Sequence, residues 1–393
     1  MTLLEKFKKV VVFGPHDRMN YGDFLFPLML DFAFSKKTKE KICFDKYSLI
    51  SSDFRSIGAF RSNNYKYLKK NIQNEKIDVI IMSGGESLLA KWSNLYSYIN
   101  PIYDYFYQHP KLKNSRIFRN IPKFILGGKT EYPFLIDKNN FTRDFKVIYN
   151  AVGGGYGLKE NQIEILRNSD LCALRENMSY SYIKDKYKDV SLVPDSAIIL
   201  SDVYELATPQ IKRLEKEKYI IFQISNHKHQ NCLNEVCSQL IDILNNFDYK
   251  IILCPIGTAK GHEDHIALNY ILNNINHPNI TLFSENPKIN EIISLIAHSE
   301  IYIGTSLHGI ITSMSYGVPY IGLNPTQTKL KAYVETWGIE ELKNIYNTFA
   351  FYDECANIIQ SLPLTEKIKK KTIEQKEIYY DFITKMIEII DQP

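Results

Sequence analysis

The sequence lacks long hydrophobic runs. No stretch approaches the roughly 18 uninterrupted apolar residues of a membrane-crossing helix, so no span is expected. Cysteine is sparse and unpatterned: Cys43, Cys172, Cys232, Cys237, Cys254 and Cys355 form no CxxC pair. That argues against a disulfide framework and reads as reduced, mostly buried thiols of a cytosolic protein. Charge of one sign is also lacking, since 48 Lys and Arg face 44 Asp and Glu, a net of +4 over 393 residues. With no basic stripe interleaved with aromatics, no nucleic-acid partner is expected. The N-terminal MTLLEKFKKVVVFG has neither the apolar core nor the small-residue cleavage site of a secretory leader, and a cytoplasmic location is expected. One basic run, 367–371 (KIKKK), reads either as a solvated helix face or as a peripheral contact with a membrane surface.

What is present is a repeated rhythm. Apolar residues make up 45% of a chain long enough for two or three domains. Short, continuously apolar runs at 10–13, 78–82, 147–152, 171–174 and 191–193 alternate with amphipathic stretches such as 162–167 and 179–188. Such runs suit strands buried on both faces of a parallel sheet. The rhythm restarts at 219–224 and continues through 249–254, 280–283, 301–303 and 319–323, with helical segments at 233–246 and 290–298 between them. The expected architecture is α/β, with two Rossmann-like domains and mostly parallel sheets. The charged stretch 208–218, which contains Pro209, is the expected linker, and 365–390 predicts a long C-terminal helix. Two such domains usually bind ligands between them, at the carboxyl ends of their strands.

Several loops fall at those ends. After the first run comes Asn20-Tyr21-Gly22-Asp23, a glycine-bearing loop that is neither a P-loop nor GxGxxG. Asp23 reads as a site acid or as a favourable charge at a helix start. Gly84-Gly85-Glu86-Ser87 follows the second run, and Gly153-Gly154-Gly155 follows the third. Each is a phosphate-approaching loop or a tight strand-to-helix turn. Arg175 ends another apolar run, suited to clamping a carboxylate or phosphate, or to pairing with Glu176 or another acid. Asp195, near the domain junction, reads as a site acid or as part of a turn. Ser306-Leu307-His308-Gly309 places a histidine between a small polar loop and a helix start. Helix amides and His308 together would bind an anion and exchange a proton, although a lone histidine is more often structural. The cluster 262–265 (HEDH) lacks HExxH spacing and a third ligand, so no metal site is expected. The tyrosines of 96–107 suit a buried aromatic cluster or sugar stacking.

In order and separation, these motifs resemble the polysaccharide pyruvyl transferase family over roughly residues 10–340. The family's Gly-Asn-x-Gly-Asp loop is similar to 20–23, and its Gly-Gly-(x)-Ser-Leu-Leu turn to 84–89. Its Arg-Asp/Glu-x-x-Ser segment is similar to 175–179. Its Arg-Leu-His, then Gly-Val-Pro, then lysine is similar to 306–308, 317–319 and Lys329. The resemblance implies a GT-B-like arrangement, with an acceptor-side domain at 1–207, a donor-side domain at 208–345, and a segment 346–393 packing back on the first. It implies phosphoenolpyruvate as co-substrate, no cofactor, and transfer of its carboxyvinyl unit as a ketal to a sugar acceptor of a surface-polysaccharide precursor, which can be lipid-linked.

By the same resemblance, His308 and Asp23 are catalytic. Arg175, Ser306, Leu307, His308, Gly309 and Lys329 bind the donor. Asn20, Gly22, Gly84, Gly85, Glu86, Ser87, Gly154 and Gly155 form acceptor or phosphate loops. The chain departs from the pattern at Ser306, where the family carries arginine, so one fixed cation is lost and Lys329 or Arg18 is its candidate replacement. A GT-B glycosyltransferase using a nucleotide sugar, and a non-catalytic carbohydrate-binding relative, are the alternative readings.

Overall fold

The computed structural model describes residues 3–204, 217–360 and 364–392. The apolar runs become the central strands of two sheets. The first sheet holds β1 (Val10–Phe13), β2 (Asp45–Ser48), β3 (Ser52–Asp53), β4 (Arg61–Asn64), β5 (Val79–Ser83), β6 (Lys146–Val152), β7 (Leu171–Leu174) and β8 (Val190–Leu192). Its spatial order is β3-β4-β2-β1-β5-β6-β7-β8, and every pair is parallel except β3 with β4. The second sheet holds β9 (Tyr219–Gln223), β10 (Lys250–Leu253), β11 (Ile280–Leu282), β12 (Ile301–Gly304), β13 (Tyr320–Leu323) and β14 (Ile345–Tyr346). It is wholly parallel, in the order β11-β10-β9-β12-β13-β14.

This strand order decides where a ligand can sit. From β1 the chain steps outward through β2 to β4 and then returns to lay β5 on the other side of β1; from β9 it steps out through β10 to β11 and returns to lay β12 on the other side of β9. Helices leaving in opposite directions open a crevice at the carboxyl ends of β1/β5 and of β9/β12. Those two ends carry residues 14–23 and 83–89, and 223–225 and 304–309.

Four strands have little signal in the sequence. β2 (DKYS) and β4 (RSNN) are polar, yet their inward groups are paired. Lys46 forms an ion pair with Asp31, and the Ser62 hydroxyl bonds those of Ser48 (2.5 Å) and Ser52 (2.7 Å). β3 and β14 are two residues each and lie at sheet edges. The expected linker lies almost wholly outside the described residues.

One core spans both halves, joining Phe24, Leu30 and Ile198 to Ile292, Ile310, Tyr333 and Phe382. The helix Thr365–Asp391 contributes Tyr379, Phe382 and Met386 to it. Lys376 and Tyr380 on this helix both bond Asp202 (2.6 and 2.7 Å), and Lys146 bonds the Ile389 carbonyl (2.9 Å). The segment 346–393 does not pack back on the first half as one piece, however. Helix Tyr352–Gln360 buries Cys355 in the core of the second half, because Phe351 and Tyr352 are anchored there through Gln239. The run 367–371 lies on the first turns of the long helix, where Lys369 and Lys371 pair with Glu366 (3.3 Å) and Glu374 (2.9 Å), and Lys367 with Glu341. No helix among the described residues is long and apolar enough to cross a membrane.

Candidate functional site

The two crevices face each other across a polar cleft of about 280 Å³. From the first half, Asn20, Asp23, Gly85, Glu86 and Arg175 line it. From the second come Ser306, Leu307, His308 and Lys329. Backbone bonds hold the halves together at its edge: Tyr21 N donates to the Ile256 carbonyl (3.3 Å) and Ala259 N to that of Met19 (3.2 Å).

The first loop is built for this position. Asn20 caps the helix Tyr21–Thr38, its side-chain oxygen accepting from Gly22 N at 3.2 Å. That places Gly22 and Asp23 in the first turn, against the second half. A Cβ on Gly22 would stand 1.9 Å from His308 Nδ1, so only glycine lets the imidazole lie there. Behind the loop, the buried His16 Nδ1 donates to the Asp23 carbonyl (3.1 Å). Burial holds that ring neutral, its pKa lowered to about 3. Burial also raises the Asp23 carboxyl, against the pull of Arg18, His308, Lys329 and Arg175.

Arg175 and His308 meet at Asp195. Arg175 leaves the end of β7 2% exposed, and its Nη1 donates to Asp195 Oδ2 at 3.0 Å. His308 Nε2 stands 3.5 Å from the same oxygen. Asp195 Oδ1 accepts from Ala197 N (3.0 Å). Burial alone would raise the Asp195 carboxyl, but the neighbouring His308 and Arg175, with the Ala197 amide, hold it below the usual range. Trp337 Nε1 donates to the Arg175 carbonyl (2.7 Å), fixing this strand end from the second half. The acid that Arg175 pairs with is Asp195 rather than Glu176.

The opposite wall is organised by Gln223. Its Oε1 accepts from Thr305 N (3.1 Å) and Ser306 N (2.9 Å), and its Nε2 donates to Asp264 (2.8 Å). Ser306 caps the helix Leu307–Tyr316. Asp264 also accepts from the Ile256 and Gly257 amides (both 2.9 Å), and burial raises its pKa to about 6. Among the described residues no group of three or more His, Cys, Asp or Glu is placed to hold a metal.

Six expected site residues do not line the cleft; one is Gly22, which packs against His308. Ser87 is buried beside the core, and Gly84 packs on Pro15. Gly154 turns beneath Glu86 with φ 85°, and Gly155 N donates to Ser179 Oγ (2.9 Å). Gly309 faces Tyr302 inside its helix. These shape the loops and do not touch the cavity. Conversely, Gln223, Ser225, His227 and His229 line it unforeseen, and so do His262 and Asp264 of the HEDH cluster, which the sequence marked without placing it at the site. A glutamine closing the apolar run YIIFQ, followed at once by a histidine-rich loop, was the available signal.

Two parallel-sheet halves with facing switch-point crevices define a GT-B-type protein. Solved structures share this fold. S. aureus MnaA bound to UDP is 12% identical with a TM-score of 0.57, covering 96% of this chain and 95% of its own. The UDP-GlcNAc 2-epimerase of Neisseria meningitidis bound to UDP-GlcNAc is 10% identical with a TM-score of 0.56, covering 96% and 99%. No curated protein sequence matches this chain. The polysaccharide pyruvyl transferase family matches residues 20–327, and this chain belongs to that family. It is accordingly a carbohydrate-modifying transferase.

Proposed function

We propose that this protein transfers pyruvate from phosphoenolpyruvate to two hydroxyls of a sugar in a surface-polysaccharide precursor, forming a cyclic ketal. The observation that carries the reading is His308, set against Gly22 on one side and Asp195–Arg175 on the other, inside a polar cleft. The reaction needs a proton donor at the methylene carbon, which becomes a methyl group. The central carbon, now cationic, takes the first sugar hydroxyl, which gives up its proton. Phosphate leaves with the electrons of its C–O bond, and the second hydroxyl closes the ring, losing its own proton. One hydroxyl proton balances the methylene proton; the other leaves with phosphate.

In this reading His308 supplies the proton. Asp195 orients the ring and balances its charge when protonated. Asp23, with its raised pKa, is the second proton-exchanging group. Arg175, Lys329 and the start of helix Leu307–Tyr316 receive the donor's carboxylate and phosphate. Asn20, Glu86 and the first loop face the acceptor.

Incubation with phosphoenolpyruvate and a panel of lipid-linked and nucleotide-linked sugars tests this. Phosphate release with a sugar product heavier by a ketal-linked pyruvate supports the reading. Ser306, in place of the family arginine, favours a second reading: a glycosyltransferase using a nucleotide sugar. Its signature is no phosphate release with any acceptor, and thermal stabilisation by nucleotide sugars but not by phosphoenolpyruvate.

A further inference from the structure

Between β5 and β6 the chain inserts four helices: Trp92–Ile99, Pro101–Tyr107, Pro110–Asn114 and Arg116–Leu126. The insert has its own interior, where Tyr103 stacks on Phe118 (4.7 Å) and Tyr107 (5.7 Å). Its outside is apolar and bare. Phe124 is 89% exposed, Ile117 81%, Tyr105 77% and Ile102 75%. Folding gains nothing by leaving such side chains in water, and groups of them mark contact surfaces. Ile117, Ile121 and Phe124 follow the spacing i, i+4, i+7 and so form one stripe along a single helix face.

The flank of that stripe is cationic. Arg116, Arg119 and Lys123 border a depression of about 480 Å³ together with Lys91 and Lys159, against a single acid, Glu131. The insert, residues 92–126, holds five Lys and Arg and one acid, Asp104, a net of +4 that equals the net charge of the whole chain. Asp104 is itself committed to Lys260. The charge is therefore concentrated in the insert that bears the exposed apolar groups.

We propose that this insert seats the protein on the surface of an anionic lipid bilayer, with Ile117, Ile121 and Phe124 entering the interface and the flanking cations meeting lipid headgroups. A bare apolar face with a strongly cationic flank is the chemistry of an interfacial helix. A second copy of the chain fits poorly, because a two-fold contact would set +4 against +4. The docking face is tied to the cleft: Tyr98, on the first helix of the insert, lines it, and Lys260 beyond it grips Asp104. On the proposed transferase reading, the bilayer is where a lipid-linked acceptor resides.

The test is co-sedimentation of the full chain with vesicles of phosphatidylcholine alone or mixed with phosphatidylglycerol, and it needs no turnover. Binding to the mixed vesicles at low salt is expected, weakening as salt rises. Ile117→Ser with Phe124→Ser should cut that binding at least about tenfold. Arg116→Gln with Arg119→Gln and Lys123→Gln should remove most of its salt dependence. All these side chains lie at the surface, so unchanged Tm values are expected and serve as the folding control. Absence of binding to the anionic vesicles, or equal binding by parent and variants, overturns the proposal. So does a concentration-dependent dimer in ultracentrifugation that the Ile117→Ser, Phe124→Ser variant abolishes.

Discussion

Gly22 and His308 lie 286 positions apart in the chain, yet the space a Cβ on Gly22 would take is the space of the imidazole, 1.9 Å from Nδ1. The first loop and the first turn of helix Leu307–Tyr316 are therefore fitted to each other across the cleft. Gly22→Ala tests the fit. In an isolated helix the change favours folding by about 1 kcal/mol. Here it must push His308 off Asp195, and turnover is expected to fall on the order of a hundredfold, with the fold kept. Steady-state kinetics beside circular dichroism separates the two effects.

Asp195 binds Arg175 and faces His308 through the same carboxylate oxygen. Asp195→Asn leaves Arg175 buried without its counter-charge, a defect that costs about 3–5 kcal/mol where such pairs are broken. Both stability and turnover are expected to drop. Arg175→Ala should destabilise by a similar amount, and the double variant by less than the sum, since each removes the same pair. Urea unfolding of the four proteins gives the cycle; strict additivity would show that the pair is uncoupled.

His16 makes the protein acid-sensitive. Its ring stays neutral in the fold down to a pKa of about 3, whereas an unfolded histidine takes a proton near 6.5. Between those values the unfolded chain binds the extra proton, so stability falls as pH falls, by up to about 1.4 kcal/mol per pH unit. His16→Gln is expected to flatten this limb between pH 6.5 and 3. Asp264 acts with the opposite sign. Burial raises its pKa to about 6, so the fold holds a proton that the unfolded chain has released, and its contribution to stability declines as pH rises from about 4 to 6. Thermal unfolding of the parent, His16→Gln and Asp264→Asn across pH 4 to 7 distinguishes the two slopes.

Ser306→Arg returns the family cation to the cleft. The hydroxyl that caps helix Leu307–Tyr316 is lost, at a cost of about 1 kcal/mol. If the donor is phosphoenolpyruvate, its affinity should rise by the worth of a charged hydrogen bond, about 1.5–3 kcal/mol. Calorimetric titration with phosphoenolpyruvate measures this directly; unchanged affinity would count against the donor assignment.

The central strands were legible because β1, β5, β6, β9, β10 and β12 are buried on both faces and read as apolar runs, interrupted internally only by Asn150 of β6. β4 (RSNN) was not legible, because its inward Ser62 is satisfied by hydroxyls of other strands and needs no apolar residue. The helical insert was glimpsed only as tyrosines, since Tyr103 buried and Tyr105 exposed look alike in sequence.

By itself the sequence determined the two-sheet α/β rhythm, the switch-point loops and the family, including His308, Arg175 and Asp23 as candidates. Those are local properties: apolar periodicity, loops of glycine and small polar residues, and motif order. Only the tertiary structure decided that Asp195 joins Arg175 to His308, that Gly84, Ser87, Gly154, Gly155 and Gly309 stand off the cleft, and that Gln223 and Asp264 brace its far wall. Each of these is a distance between residues remote in the chain, set by strand order and by the packing of the two halves, and no local pattern encodes it.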